Sequence, residues 1–176
     1  MASIQACTLP EEALLRRYID RGAYTDCYVT VLAQPVHHAE YVAAFYTTAV
    51  FKLERLLLSW ILGRSSTDAQ AQELASGKLA SFSAWSVEAR EPNQVLLCDM
   101  HGRTRSWLMS VSASSGQTTT LYFGSAVVPI VDKRTGHERM GFAFQALLGF
   151  HRLYSRVLLR AAVSRLARSS PLQLKN

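Results

Sequence analysis

This chain has no acidic residue after Glu138, no long apolar run and no ordered set of cysteines, and each absence removes a class of explanation. A membrane-crossing helix needs about 20 consecutive, mostly apolar residues, and no window approaches that length, so no membrane span is expected. Cys7, Cys27 and Cys98 are an odd count at wide spacings, with no CxxC pair and no disulfide framework. Cys27 and Cys98 fall in strand-like runs, where a thiol behaves as a small buried apolar group. Met1 to Pro10 carries neither a basic stretch nor an apolar core, so a secretory signal is not expected. A reducing, cytoplasmic location is the simplest reading.

Motifs for nucleotides and metals are missing too. There is no GxGxxG and no Walker-type loop, and His37 and His38 are adjacent, so on a helix their side chains diverge. Without HxxxH, HExxH or a Cys/His cluster, no metal and no cofactor are expected. Proline is also sparse: none interrupts Phe142–Arg168, which reads as one long helix.

The charge that is present is unevenly placed. The seven cations after Glu138 exceed the whole chain's net charge of +6, which leaves the first 138 residues at −1. Arg152, Arg156 and Arg160 recur at helical spacing and form a basic face. No aromatic residues interleave that row, and no helix-turn-helix partner is evident, so nucleic acid is disfavoured. Cations near a helix C-terminus are stabilising in their own right. An acidic partner or a homodimer is the interaction this face would serve.

At 176 residues, 49% of them hydrophobic and 18% charged, the chain reads as one compact domain, 1–176. Pro10–Arg21 is expected to be a short helix stopped by Gly22, making 1–22 an N-terminal helical segment. Tyr24–Ala33 alternates as a strand. Val36–Leu62 is helical with a kink at Thr47–Thr48, because β-branched residues weaken a helix interior; Gly63 is expected to cap it. Ser65 or Ser66 starts a further helix through Ala75, closed by Gly77. Trp85–Arg90, Gln94–His101, Arg103–Val111 and Thr118–Val128 then read as four more strands, with Glu91-Pro92-Asn93 as a turn. The loop Pro129–Gly141 reads as exposed and mobile. Five strands are clear, giving a sheet with inserted helices over 24–128 and a C-terminal helix over 142–168. The fold class is α+β, an antiparallel sheet of five to seven strands wrapped around that helix.

A two- or four-residue loop around Gly102 puts Leu96, Cys98 and Met100 on one face with Arg105, Trp107 and Met109. Asp99, His101, Thr104, Ser106 and Ser110 fall on the other, more polar face. The first set is therefore expected to face the interior. Arg105 would then be a cation among apolar groups, and must pair with a carboxylate, reach water along its stem, or meet a ligand's acidic group. Gly124, inside a strand, leaves a gap that the C-terminal helix or a ligand can fill, and Tyr122 shares its parity. On the C-terminal helix Phe150 and Tyr154 lie in or beside the apolar stripe. His151 sits next to them, yet no acidic residue follows to orient it.

The runs Arg103–Trp107, Leu121–Val127 and His151–Arg156 resemble an uncharacterised bacterial family, which in turn is similar to START-like helix-grip proteins, the superfamily of polyketide cyclases and lipid-transfer domains. The resemblance covers roughly Tyr24 to Arg168 and rests on element order. It implies a cavity between sheet and C-terminal helix for a small apolar or amphipathic ligand, lipid- or polyketide-like. The expected walls are Trp107, Met109, Met100, Tyr122, Phe150 and Tyr154, with Arg105 meeting an acid. Two alternatives stand beside it: a cyclase- or hydrolase-type enzyme using the same cavity, with His151 and Tyr154 moving protons, and an interaction protein acting through the basic helix.

Overall fold

The computed structural model describes residues 3–62, 66–131, 138–139 and 142–169, with side chains for 3–53, 55–56, 66–129 and 152–169. Among them seven strands form one antiparallel sheet: β1 (Gln5–Ala6), β2 (Tyr24–Leu32), β3 (Ser81–Phe82), β4 (Trp85–Glu91), β5 (Gln94–Asp99), β6 (Thr104–Ser112) and β7 (Thr119–Val127). Their spatial order is β1-β2-β7-β6-β5-β4-β3. Three helices, α1 (His38–Tyr46), α2 (Ala49–Leu62) and α3 (Asp68–Ala75), are inserted between β2 and β3. A two-stranded hairpin, β8 (Ile130–Val131) with β9 (Glu138–Arg139), precedes the 28-residue α4 (Phe142–Ser169). An antiparallel sheet with a long C-terminal helix against one face is the helix-grip arrangement. The two strands beyond the expected five, β1 and β3, are two residues long and too short to show a period.

Local chemistry explains the breaks. Thr47 and Thr48 separate α1 from α2: Thr47 Oγ1 donates to the Ala43 carbonyl, and Thr48 Oγ1 accepts from the Phe51 amide at 3.2 Å, capping α2. Thr67, one residue past the expected serines, caps α3 through a reciprocal pair with Gln70. The expected cap at Gly63 and most of the Pro129–Gly141 loop lie outside the described residues. The four-residue turn from Met100 to Arg103 places Gly102 at φ 68°, a conformation that costs glycine little. It pairs Cys98 with Arg105 and Leu96 with Trp107, so the register expected around Gly102 is the one observed.

The expectation for Pro10–Arg21 is corrected. Only Leu14–Tyr18 is helical, as a 3₁₀ turn without a side-chain cap at Ala13. The i, i+3 spacing of Leu15 and Tyr18 puts both on one side of that tighter helix, and both are buried against the sheet. A free helix of this length is marginal, so the sheet decides its form.

The sheet is consequently covered on both faces. On its helix side Tyr28, Leu32, Val95, Leu97, Leu108, Leu121 and Phe123 pack against Tyr41, Phe45, Tyr46, Phe51, Phe82 and the α4 residues Leu158, Leu159, Ala162 and Leu166. On its outer side Cys27, Leu96, Trp107, Met109 and Ala126 lie under an N-terminal arm that supplies Leu9, Ala13, Leu15 and Tyr18.

Candidate functional site

The outer face holds most of the residues singled out in the sequence. The strand β4 bulges between Val87 and Ala89: beyond the bulge Ala89 and Arg90 exchange sides, while Glu88 keeps the outer side it shares with Ser86. There the Arg105 Nε donates to Glu88 Oε2 at 2.6 Å and to the Tyr18 hydroxyl at 2.7 Å, while that hydroxyl donates to Glu88 Oε1 at 2.5 Å. The guanidinium also stacks over the Tyr18 ring, 4.7 Å from its centre. The Arg105 side chain is 11% exposed and that of Glu88 24%. Of the three fates open to Arg105, pairing with a carboxylate is the one realised. A few residues away Gln94 joins arm to sheet: its Oε1 accepts from the Leu14 amide and the Trp107 indole, both at 2.9 Å, and its Nε2 donates to the Glu12 carbonyl. The gap at Gly124 is filled by Leu15, not by α4 or a ligand; a Cβ there would lie 2.9 Å from Leu15 Cδ2.

Arg105, Trp107, Met109 and Tyr122 therefore do not wall a space shared with α4. Trp107 and Met109 are fully buried beneath the arm, Tyr122 packs beside them, and Met100 sits in the turn, 47% exposed. Tyr154 packs instead against the helix-side core, on the opposite face of the sheet. Phe150 and His151 belong to the part of α4 whose side chains lie outside the described residues. The sheet itself thus separates the expected set into two groups.

The face that looks at α4 carries a polar row crossing three strands: Asp26, Ser125 and Ser106 are register neighbours on β2, β7 and β6. Ser125 donates to Asp26 Oδ1 at 2.6 Å, and Ser106 shares a 3.0 Å hydrogen bond with the Tyr46 hydroxyl at the end of α1. On the same helix-facing side of the sheet, three buried atoms have no hydrogen-bond partner among the described residues: Thr30 Oγ1 on β2, Trp85 Nε1 on β4 and Ser155 Oγ on α4. Arg152 donates to the Tyr24 hydroxyl and Arg156 lies over the Tyr28 ring, so Ser155 between them is carried over the Asp26–Tyr28 stretch. Ser155 shares its helix face with Leu158, Leu159 and Ala162, all directed at the sheet. The arginine row, read as stabilising in its own right or as open to an acidic partner, is thus drawn in part onto the tyrosines of β2. Among the described residues no cluster of three metal-ligating side chains forms, and no helix is long and apolar enough to cross a membrane.

Sequence reading missed the row because its polar residues look like a solvated strand face. It missed Glu88 because solvation explains a carboxylate on a polar strand side, and alternation put Arg90 on that same side. The bulge reverses the parity, and Arg90 Nη2 instead donates to the Leu74 carbonyl at the end of α3, on the helix side.

At the far end of this face His38 Nδ1 and Ser110 Oγ share a 3.3 Å hydrogen bond, and Nε2 is buried without a partner among the described residues. Burial, and secondarily the Arg90 cation, pull His38 down to about 4. A folded-state value below the unfolded one means that protonation favours unfolding, so this contribution is complete above about pH 6.5 and is lost as pH falls toward 4. The loss should reach about 2 kcal/mol by pH 5. Urea unfolding of the native chain and of His38→Asn, compared between pH 7 and 5, checks it: the difference between the two should shrink by that amount.

No family model matches the chain, and no curated protein is significantly similar to it. Among solved structures it is similar to CalU16 from Micromonospora echinospora, at 12% identity over 94% of this chain and 92% of that one, with a TM-score of 0.32. A superposition that loose says nothing about what this chain binds.

Proposed function

We propose that this protein binds a small amphipathic molecule between the helix-facing side of the sheet and α4. The observation that carries this reading is a set of three buried hydrogen-bonding atoms without partners among the described residues, on side chains of β2, β4 and α4 that belong to the helix-facing side. Leaving such atoms unpaired in an apolar layer costs roughly 1–3 kcal/mol each, which a bound oxygen-bearing molecule would recover. Trp85 Nε1 can only donate, and the two hydroxyls can donate, so the molecule should present acceptor oxygens there. Its apolar part would rest on the aromatic side chains of the helix-side core. The resemblance to START-like lipid-transfer domains and polyketide cyclases supports the same class of ligand. Arg105, Trp107, Met109, Met100 and Tyr122 have no part in this site.

The test is native mass spectrometry of freshly purified protein. A species heavier than the bare chain, releasing a small molecule on denaturation, is expected. Ser155→Leu, which fills the space at that hydroxyl, should reduce the occupied fraction about tenfold without loss of fold by circular dichroism. Bare chain alone, together with no saturable uptake of a fluorescent fatty acid, would point to buried water at the three atoms and end the proposal.

A further inference from the structure

The strand β1 pairs Gln5 with Val29 and Ala6 with Tyr28, which continues the register to Cys7 opposite Cys27. The Cys7 amide donates to the Cys27 carbonyl at 3.0 Å, and the two sulfurs are 3.3 Å apart. Both thiols are free. Facing residues of an antiparallel pair have Cα atoms about 4.5–5.5 Å apart, within the span that a disulfide bridges, so closure needs the sulfurs to approach by about 1 Å and the backbone hardly at all. We propose that Cys7 and Cys27 are a redox modification site, at which a peroxide oxidant closes a disulfide that latches the N-terminal arm onto the sheet.

The chemistry balances with hydrogen peroxide as oxidant. The Cys7 thiol gives up its proton, the thiolate attacks one peroxide oxygen, and the O–O bond breaks; the departing hydroxide takes up that proton as one water, and Cys7 becomes a sulfenic acid. The Cys27 sulfur then attacks the Cys7 sulfur, the S–O bond breaks, and a second water leaves with the Cys27 proton. Two thiols lose two hydrogens, and one peroxide becomes two waters. The order follows from access. Cys27 is buried, and burial, followed by the Cys7 thiol beside it, pushes its own thiol up, whereas Cys7 is partly exposed. Cys7 therefore meets the oxidant and Cys27 resolves it.

The closed ring spans residues 7 to 27 and contains the whole arm: Leu9, Ala13, Leu15 and Tyr18, with the Tyr18 hydroxyl that meets Glu88 and Arg105. Cross-linking a loop of this size restricts the unfolded chain, and it would hold the arm over Trp107 even when the local contacts loosen. This site lies on the opposite face of the sheet from the proposed ligand layer, so it stands or falls separately from that reading.

The test treats the full chain with stoichiometric hydrogen peroxide. Intact mass should fall by about 2 Da, dithiothreitol should restore it, and a non-reducing peptide map should link Cys7 to Cys27. The melting temperature should rise by about 5–10 °C. Cys98→Ser should keep both effects, and Cys7→Ser, which melts like the reduced chain, should lose both. A bridge through Cys98, a disulfide-linked dimer, an oxygen adduct that stops at Cys7, or a bridge that leaves the melting temperature unchanged would overturn the proposal.

Discussion

Gly124→Val should destabilise the protein by about 3 kcal/mol, enough to lower the melting temperature by roughly 6–12 °C. The position sits in the middle of β7, opposite both Cys27 and Trp107, where three structural elements meet. A Cβ would lie 2.9 Å from Leu15 Cδ2 and 3.0 Å from both the Asp26 carbonyl oxygen and the Trp107 ring. The Leu15 methyl is the end of a flexible side chain and can turn aside. The carbonyl belongs to a paired strand, and Trp107 is fully buried and tied through its indole to Gln94, so neither gives way readily. Valine adds two methyls beyond the Cβ and drives the arm off the sheet. Urea denaturation measures the loss, and Leu15→Ala in the same chain should recover part of it, since the two changes share one space. A Gly124→Val protein as stable as the native one would mean that the arm does not rest on β7.

Arg105→Ala should cost about 3 kcal/mol, while leaving occupancy of the helix-side layer unchanged. Removing the guanidinium takes away one hydrogen bond to Tyr18 and one to Glu88, together with the stacking over the Tyr18 ring. Glu88, whose side chain is 24% exposed with Arg105 in place, then keeps the Tyr18 hydroxyl as its one partner among the described residues, and most of the cost lies in that abandoned carboxylate. Arg105→Met with Glu88→Gln removes both charges and should be less destabilising than Arg105→Ala alone. Thermal melts of the three variants, read beside native mass spectra, separate the roles. A fall in bound ligand at unchanged melting temperature would return Arg105 to the binding role that its sequence position suggested.

How much of this was legible beforehand follows from where the chain is one-sided and where it is not. The helix break at Thr47–Thr48, the hairpin register at Gly102 and the extent of α4 each rest on a few adjacent residues with one physical meaning, and all three are seen. The direction in which the sheet faces was not legible. A strand with one wet face declares its interior by alternation, but Leu96-Leu97 and Trp107-Leu108-Met109 are apolar on successive residues, because both sides are covered. Ser106 and Ser110 give one face a solvated look, while Leu97 and Leu108 on that same face mark it as buried. Parity then placed Arg105, Trp107 and Met109 together correctly and under the wrong cover. The arm itself left little trace, since Leu9, Ala13, Leu15 and Tyr18 obey no single period.

Two residues of β1 also have a consequence for the outermost backbone of β2. By pairing there, they occupy amide and carbonyl groups that would otherwise invite another chain to add as a strand. A shortened polypeptide beginning at Tyr24 would expose that edge together with Trp107 and Met109, and should self-associate. The arm should therefore be needed to keep the chain monomeric, even though the seven-stranded framework would retain six strands without it.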